Sequence, residues 1–247
     1  MKQQILTIEQ NIRLSEGLFR MSLAIDPDTE KEILPGQFIN IKLDGFYLRR
    51  PISVDDVQPG KLVIIYKTAG EGTAALSLKK TGEKLDVLLP LGNGFSLDEA
   101  GDKPLIIGGG VGVAPMYYTA KCLANAGKCG CAVLGFNKKE EIFLKDDFEK
   151  LGFKVIITTV DGSEGVKGFV TDAMKDLDYS YAFVCGPEPM IRAVHKTLKT
   201  SAQYSFEERM GCGFGACMGC SCKTITGYKR ICKDGPVMRK EEVLWED

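Results

Sequence analysis

A chain of 247 residues with 32 basic and 33 acidic side chains, 44% hydrophobic and 26% charged, is long enough for one large or two ordinary domains and is not composed like a disordered chain. Its balanced charge gives no reason to expect nucleic acid as a ligand. The opening Met1-Lys2-Gln3-Gln4-Ile5 holds no apolar leader core, and no run approaches the ~18 apolar residues of a membrane span, so a cytoplasmic protein off the membrane is expected.

The first ninety-odd residues read as strands. Phe19, Met21, Leu23 and Ile25 alternate with Arg20, Ser22, Ala24 and Asp26, and Ile39, Ile41 and Leu43 repeat the period of two. Turn signals at Pro35-Gly36, Pro59-Gly60 and Thr81-Gly82 divide the segments, which predicts a small antiparallel β-barrel. Leu48-Arg49-Arg50-Pro51-Ile52-Ser53 lies at a strand edge. An arginine there can fork onto a diphosphate and the serine can hydrogen-bond a flavin ring, although paired arginines also occur as a solvated edge. Ile65-Tyr66-Lys67 and Gly70-Glu71-Gly72-Thr73 add weight, because small residues open the next predicted helix where amides and dipole favour phosphate.

From Pro104 the rhythm becomes strand then helix. Strands fit Leu105 to Ile107, Ala132 to Phe136, Val155 to Val160, Tyr181 to Cys185 and, more weakly, Tyr204 to Phe206; helices fit about 115–126, 141–150, 170–177 and 187–199. This order predicts a parallel α/β nucleotide-binding domain. Gly108-Gly109-Gly110-Val111-Gly112-Val113-Ala114-Pro115 follows a strand and opens a helix, as a dinucleotide loop must, although it ends in proline rather than as G-x-G-x-x-G. Cys185-Gly186-Pro187 stands at the end of the fourth strand, where open α/β sheets place ligands; a plain helix entry with a core cysteine reads equally well. After the second strand, Asn137-Lys138-Lys139 lacks the acidic residue that grips a ribose hydroxyl. His195 reads as a helix-border residue, and no Ser/His/Asp set or carboxylate pair suggests a catalytic side chain, so the chemistry is expected to live in cofactors.

The last forty residues show little periodicity and hold Cys212, Cys217, Cys220, Cys222 and Cys232, five of nine cysteines. Their clustering favours metal over disulfides. Cys212, Cys217 and Cys220 have the C-x4-C-x2-C spacing of plant-type [2Fe-2S] proteins; a zinc ribbon is the alternative but usually begins with a C-x2-C pair. Cys232 is the expected fourth ligand because enclosure needs a separate strand of chain, which leaves Cys222 as an ordinary buried thiol.

RRPIS at 49–53, GEGT at 70–73, GGGVGVAP at 108–115, CGPEPM at 185–190 and the terminal cysteines together resemble the ferredoxin-reductase superfamily. PLGNGF at 90–95, DGS at 161–163, GFVTD at 168–172, EERMGCG at 207–213 and CKDGPV at 232–237 narrow the resemblance to the PyrK-type electron-transfer subunits of class 1B dihydroorotate dehydrogenase, across essentially the whole chain. The resemblance implies an FAD-binding barrel over 1–98, an NAD-binding domain over 99–203 and a [2Fe-2S] domain over 204–247. It implies FAD contacts at Arg50, Pro51, Ile52, Ser53, Ile65, Tyr66, Lys67, Gly72 and Thr73, NAD contacts at Gly110, Gly112, Cys185, Gly186 and Pro187, and cluster ligation by Cys212, Cys217, Cys220 and Cys232. Ile52 departs from the tyrosine that many reductases pack on the flavin. The implied partner is an FMN-containing catalytic subunit, two of each chain forming a heterotetramer. Dihydroorotate electrons would then cross the cluster and FAD to NAD⁺ in pyrimidine (UMP) synthesis. The rivals are a reductase subunit of a hydrogenase, transhydrogenase or oxygenase system, built of the same modules, and a zinc-stabilised flavin-binding protein without turnover.

Overall fold

The computed structural model describes residues 1–245. Its first half is a closed antiparallel barrel. The strands are β1 (Lys2–Ser15) and β2 (Leu18–Ala24), then, after the short helix α1 (Pro27–Glu32), β3 (Phe38–Lys42), β4 (Arg50–Gln58) and β5 (Lys61–Lys67). Helix α2 (Glu71–Ser77) leads into β6 (Lys84–Leu91), and the barrel order is β1-β2-β5-β4-β3-β6. The period of two sends Met21, Leu23, Ile39 and Ile41 inward, all fully buried. The expected turns form at glycines with positive φ, Gly36 at 92°, Gly60 at 73° and Gly82 at 87°, where a side chain would be strained.

The second half comprises β7 (Pro104–Gly109), α3 (Val113–Asn125), β8 (Cys131–Phe136), α4 (Lys145–Lys150), β9 (Lys154–Thr159), β10 (Val166–Lys167), α5 (Val170–Ala173), β11 (Tyr181–Cys185), α6 (Glu188–Thr197) and β12 (Ala202–Ser205). The tail adds a hairpin of β13 (Ser221–Thr224) and β14 (Gly227–Arg230), then β15 (Val237–Arg239). The main sheet runs β10-β9-β8-β7-β11-β12-β15 and is parallel up to β12. Apolar side chains cover both faces, Met116, Leu123 and Phe148 of α3 and α4 on one and Val170, Ile191 and Val194 of α5 and α6 on the other. The strand order reverses between the parallel neighbours β7 and β11, the switch point at which such sheets open a crevice at the strands' carboxyl ends.

Three features differ from the sequence reading. α4 begins at Lys145 rather than near 141, because Lys139–Glu141 form a separate 3-10 turn and Leu144 takes a φ of 59°. α5 stops at Ala173. The expected boundary at 203/204 falls inside β12, and β15 from the cysteine-bearing tail pairs antiparallel with it through Gln203↔Arg239 and Ser205↔Val237. The tail therefore returns to the nucleotide-type sheet instead of standing apart; its last two positions lie outside the described residues. Among the described residues no helix is long and apolar enough to cross a membrane.

The barrel and the α/β half meet along α3. Tyr118 donates its hydroxyl to the Ile33 carbonyl at 3.1 Å, and Lys121 pairs with buried Asp56 at 2.6 Å. Beside them Asp55, at the bulge of β4, is fully buried with no hydrogen-bond partner for either carboxylate oxygen. Burial pushes its carboxyl well above the usual range; Arg20 and Lys121 oppose the shift, and Asp56 and Asp147 reinforce it.

Candidate functional site

The glycine loop after β7 and the turn between β11 and α6 are packed face to face. A Cβ on Gly112 would lie 2.6 Å from the Cys185 carbonyl, a backbone contact that only glycine allows, and one on Gly109 would lie 2.3 Å from Met190 Sδ, which would have to shift. Gly110 takes a φ of 54°. Gly109, Gly110, Phe136, Thr158, Phe169 and Pro187 help line a cavity of about 390 Å³ at the carboxyl end of the sheet, where Thr158 Oγ1 is buried without a partner. A cavity of nucleoside size with an unspent hydroxyl fits the adenosine part of a dinucleotide. Gly112 lines the neighbouring cavity instead, Gly186 lines a third, and Cys185 is buried with its thiol pushed up by burial. An acidic group stands here after all: the Asp161 amide donates to the Asn137 carbonyl at 3.2 Å. Its carboxylate accepts from Ser163 Oγ at 2.6 Å and Ser163 N at 2.9 Å, which lowers its pKa.

Toward the barrel lies a cavity of about 280 Å³. Pro51, Ile52, Ser53, Ile65, Tyr66, Lys67 and Thr73 all line it, seven of the nine residues expected to meet FAD. Arg50 and Gly72, the other two, meet each other beside it: a Cβ on Gly72 would fall 2.0 Å from Arg50 Nε. The guanidinium is propped from behind by a 2.7 Å hydrogen bond to the Leu48 carbonyl and lies 5.1 Å from the Phe46 ring centre. A cation held over the glycine-lined start of α2 is a cradle for a diphosphate. The Tyr66 hydroxyl is spent inside the barrel on Asn11 Oδ1 at 2.9 Å, and burial pushes its pKa to about 12. Thr73 Oγ1 accepts from the Ala69 amide at 2.9 Å.

The cysteines of the tail fall into two pairs. Cys212 Sγ accepts from the amides of Ala216 at 3.2 Å and Cys217 at 3.4 Å. Burial alone would raise this thiol, but those amides, that of Phe214 and the Cys217 thiol bring it down to about 6, so the loop is built for a thiolate. Cys220 Sγ accepts from the Cys232 amide at 3.4 Å, and burial and the neighbouring Cys220 push the Cys232 thiol up to about 12. Among the described residues no three Cys, His, Asp or Glu side chains converge on one point as a single ion requires. Two pairs, Cys212 with Cys217 and Cys220 with Cys232, suit the two irons of a [2Fe-2S] cluster better than one tetrahedral zinc. Cys222 is only half-buried, and its Sγ turns to Met238 Sδ at 4.0 Å.

Several residues at these sites escaped the sequence reading. Phe38 lines the barrel-side cavity and belongs to the buried cluster that holds Cys220, Ile231 and Cys232, so that cluster reaches from the cavity to the cysteines. Val111, Ser205, Glu207, Met210 and Pro236 line the same cavity; Glu207 opens onto it, and desolvation there raises its carboxyl. Glu207 and Met210 belong to the EERMGCG run used for the resemblance, so a signal existed for them. For Phe38 there was none beyond its place in an alternating strand. His195 sits as expected on a helix border, its Nδ1 3.2 Å from the Tyr204 hydroxyl.

Comparison with known proteins bears on the whole chain. Residues 207–244 match the family model for the iron-sulfur cluster binding domain of dihydroorotate dehydrogenase B, and residues 106–196 match that for the oxidoreductase NAD-binding domain. A dihydroorotate dehydrogenase B (NAD(+)) electron transfer subunit from Geobacillus sp. is 40% identical over 99% of both chains. One from Fusobacterium nucleatum is 39% identical over 98% of this chain and 99% of its own. Among solved structures, one of an NADH-dependent reduced ferredoxin-NADP oxidoreductase superposes with a TM-score of 0.87 at 33% identity, covering 98% of this chain and 90% of that one. The ferredoxin reductase of carbazole 1,9a-dioxygenase, at 22% identity and a TM-score of 0.68 over 79% of this chain and 64% of its own, shares the fold alone. A reductase-type barrel, a nucleotide-binding sheet and a paired-cysteine tail, in one order and at this identity over full length, leave one assignment: the chain belongs to the family of dihydroorotate dehydrogenase B (NAD⁺) electron transfer subunits.

Proposed function

We propose that this chain is the electron-transfer subunit of a cytoplasmic NAD-dependent dihydroorotate dehydrogenase. Its partner is an FMN-bearing catalytic subunit, assembled two and two with it, that oxidises dihydroorotate to orotate in pyrimidine (UMP) synthesis. The barrel over 1–98 serves FAD, the α/β region over 99–203 serves NAD and the tail from 204 serves the [2Fe-2S] cluster. When bound, a flavin exchanges electrons singly or as a hydride, whereas such a cluster carries one electron and a nicotinamide only a hydride.

The residues divide that work. Arg50, propped by Leu48 and Phe46, neutralises the diphosphate over the Gly72-Thr73 start of α2. Pro51, Ile52, Ser53 and Ile65–Lys67 line the cavity that would receive the flavin, and the Tyr66 hydroxyl is already engaged by Asn11. Gly110, Gly112, Cys185, Gly186 and Pro187 hold NAD(H) at the carboxyl ends of β7 and β11, and Gly112 belongs to the flavin cavity as well. Cys212, Cys217, Cys220 and Cys232 ligate the cluster. The observation that carries the reading is Phe38, which lines the flavin cavity and belongs to the same buried cluster as Cys220 and Cys232.

The test separates the two subunits. Purified alone with its cofactors, the chain should reduce artificial dyes with NADH and should not oxidise dihydroorotate, since that chemistry is assigned to the FMN-bearing subunit. Adding the FMN-bearing subunit should couple dihydroorotate oxidation to NAD⁺ reduction. Rapid bleaching of the isolated chain's flavin by dihydroorotate in a stopped-flow experiment would overturn the accessory role.

A further inference from the structure

Asn40 lies on β3 between the flavin motif and the cysteine loop. Its strand neighbour on β4 is Pro51, and Ile39 and Ile41 on either side point into the barrel, so the Asn40 side chain leaves the barrel on the face shared with Phe38. The residue is 1% exposed. Its Nδ2 donates to the Cys212 carbonyl at 3.3 Å. The contact is tight: Gly213 takes a φ of 80°, and a Cβ on it would stand 2.3 Å from Asn40 Nδ2. The other arm of the amide, Oδ1, is buried with no partner.

A leucine of nearly the same shape would fill this space without desolvating an unpaired acceptor, so packing does not account for an amide here. The hydrogen bond does. The 212–213 peptide is trans, because the cis bonds of the chain precede Pro90 and Pro236. In a trans peptide the N–H points opposite to the C=O. With the Cys212 carbonyl held by Asn40, the Gly213 N–H points to the opposite side of that peptide, away from the Asn40 amide, in the same loop whose Ala216 and Cys217 amides donate to Cys212 Sγ.

We propose that Asn40 is a positioning residue for the iron–sulfur centre: by fixing the Cys212–Gly213 peptide it aims the Gly213 N–H at the cluster sulfurs and raises the cluster's reduction potential. The inference rests on the iron–sulfur reading of the four cysteines. Hydrogen bonds to cluster sulfurs stabilise the more negative, reduced state and are a principal control of potential.

The test is a redox titration of the purified holoprotein, followed by the electron paramagnetic resonance signal of the reduced cluster, in wild type, Asn40→Leu and Asn40→Gln. It needs no partner subunit and no dihydroorotate. A wild-type protein containing zinc and lacking the visible iron–sulfur absorption would sink the underlying reading before any variant is made. Asn40→Leu should keep its flavin and shift the midpoint downward, a tenfold change in the oxidised-to-reduced ratio at fixed potential corresponding to 59 mV for one electron. Asn40→Gln, which keeps a donor, should recover part of the shift. Should Asn40→Leu lose iron, retained flavin together with restored iron in Asn40→Gln supports positioning just as well. An unchanged midpoint with the cluster intact, or loss of flavin and iron together in both variants, overturns the proposal.

Discussion

Replacing Arg50 by alanine removes the guanidinium held over the start of α2, and the structure says what that should cost. The group is pre-positioned by the Leu48 carbonyl at 2.7 Å and by the Phe46 ring at 5.1 Å, so little side-chain freedom is lost when it meets a diphosphate. A hydrogen bond to a charged group contributes about 1.5–3 kcal/mol. FAD affinity should therefore fall ~10- to 150-fold. Gly72→Ala offers the same outcome by a different route. Its new Cβ would stand 2.0 Å from Arg50 Nε, and because the obstructing atoms are the end of a flexible side chain, the arginine moves and the helix survives. In an Arg50→Ala background Gly72→Ala should then add almost nothing, since it has no guanidinium left to displace. The assay is FAD release into dialysate, read by flavin fluorescence, with iron and sulfide measured on the same samples. Undiminished flavin retention in Arg50→Ala, or full additivity in the double variant, refutes the cradle; concurrent iron loss would show that the defect is not local.

Cys212→Ser and Cys217→Ser should each lose the cluster, a thiolate being replaced by a poor donor, whereas Cys222→Ser should keep it because its Sγ turns to Met238; iron and sulfide analysis decides. Asp55 gives a pH prediction. Burial raises its folded pKa, so above about pH 4, the ordinary carboxylate value, the unfolded chain ionises it while the folded chain does not. The folded state then binds the extra proton, and stability falls with rising pH until the folded pKa is reached. Asp55→Asn removes that slope. Its melting temperature should match wild type near pH 4. The gap should then widen by about 1.4 kcal/mol, roughly 3–6 °C, per pH unit above it. A pH-independent gap between the two proteins would show that Asp55 is charged when folded.

What the sequence settles by itself is whatever depends on neighbours along the chain. A period of two in Ile39, Ile41 and Leu43 is enough to mark a barrel strand, because strand geometry sends alternate side chains to one face. The glycines at 108–112 mark a loop that must approach other backbone closely, and the Cys212, Cys217 and Cys220 spacing marks a cluster loop, since both are constraints on a few consecutive residues. Seven of the nine residues expected at FAD line one cavity, and the four expected ligands stand in two pairs. Tertiary structure alone decided which distant segments meet. Asn40 and Cys212 are 172 positions apart, Ser205, Glu207 and Pro236 reach the barrel-side cavity from the far end of the chain, and β15 turns back to pair with β12. No periodicity encodes such meetings. The outward face of β3 carries the same alternation whether it faces water or a cysteine loop, and only the packing of barrel against sheet and tail determined that Phe38 and Asn40 face the cysteines.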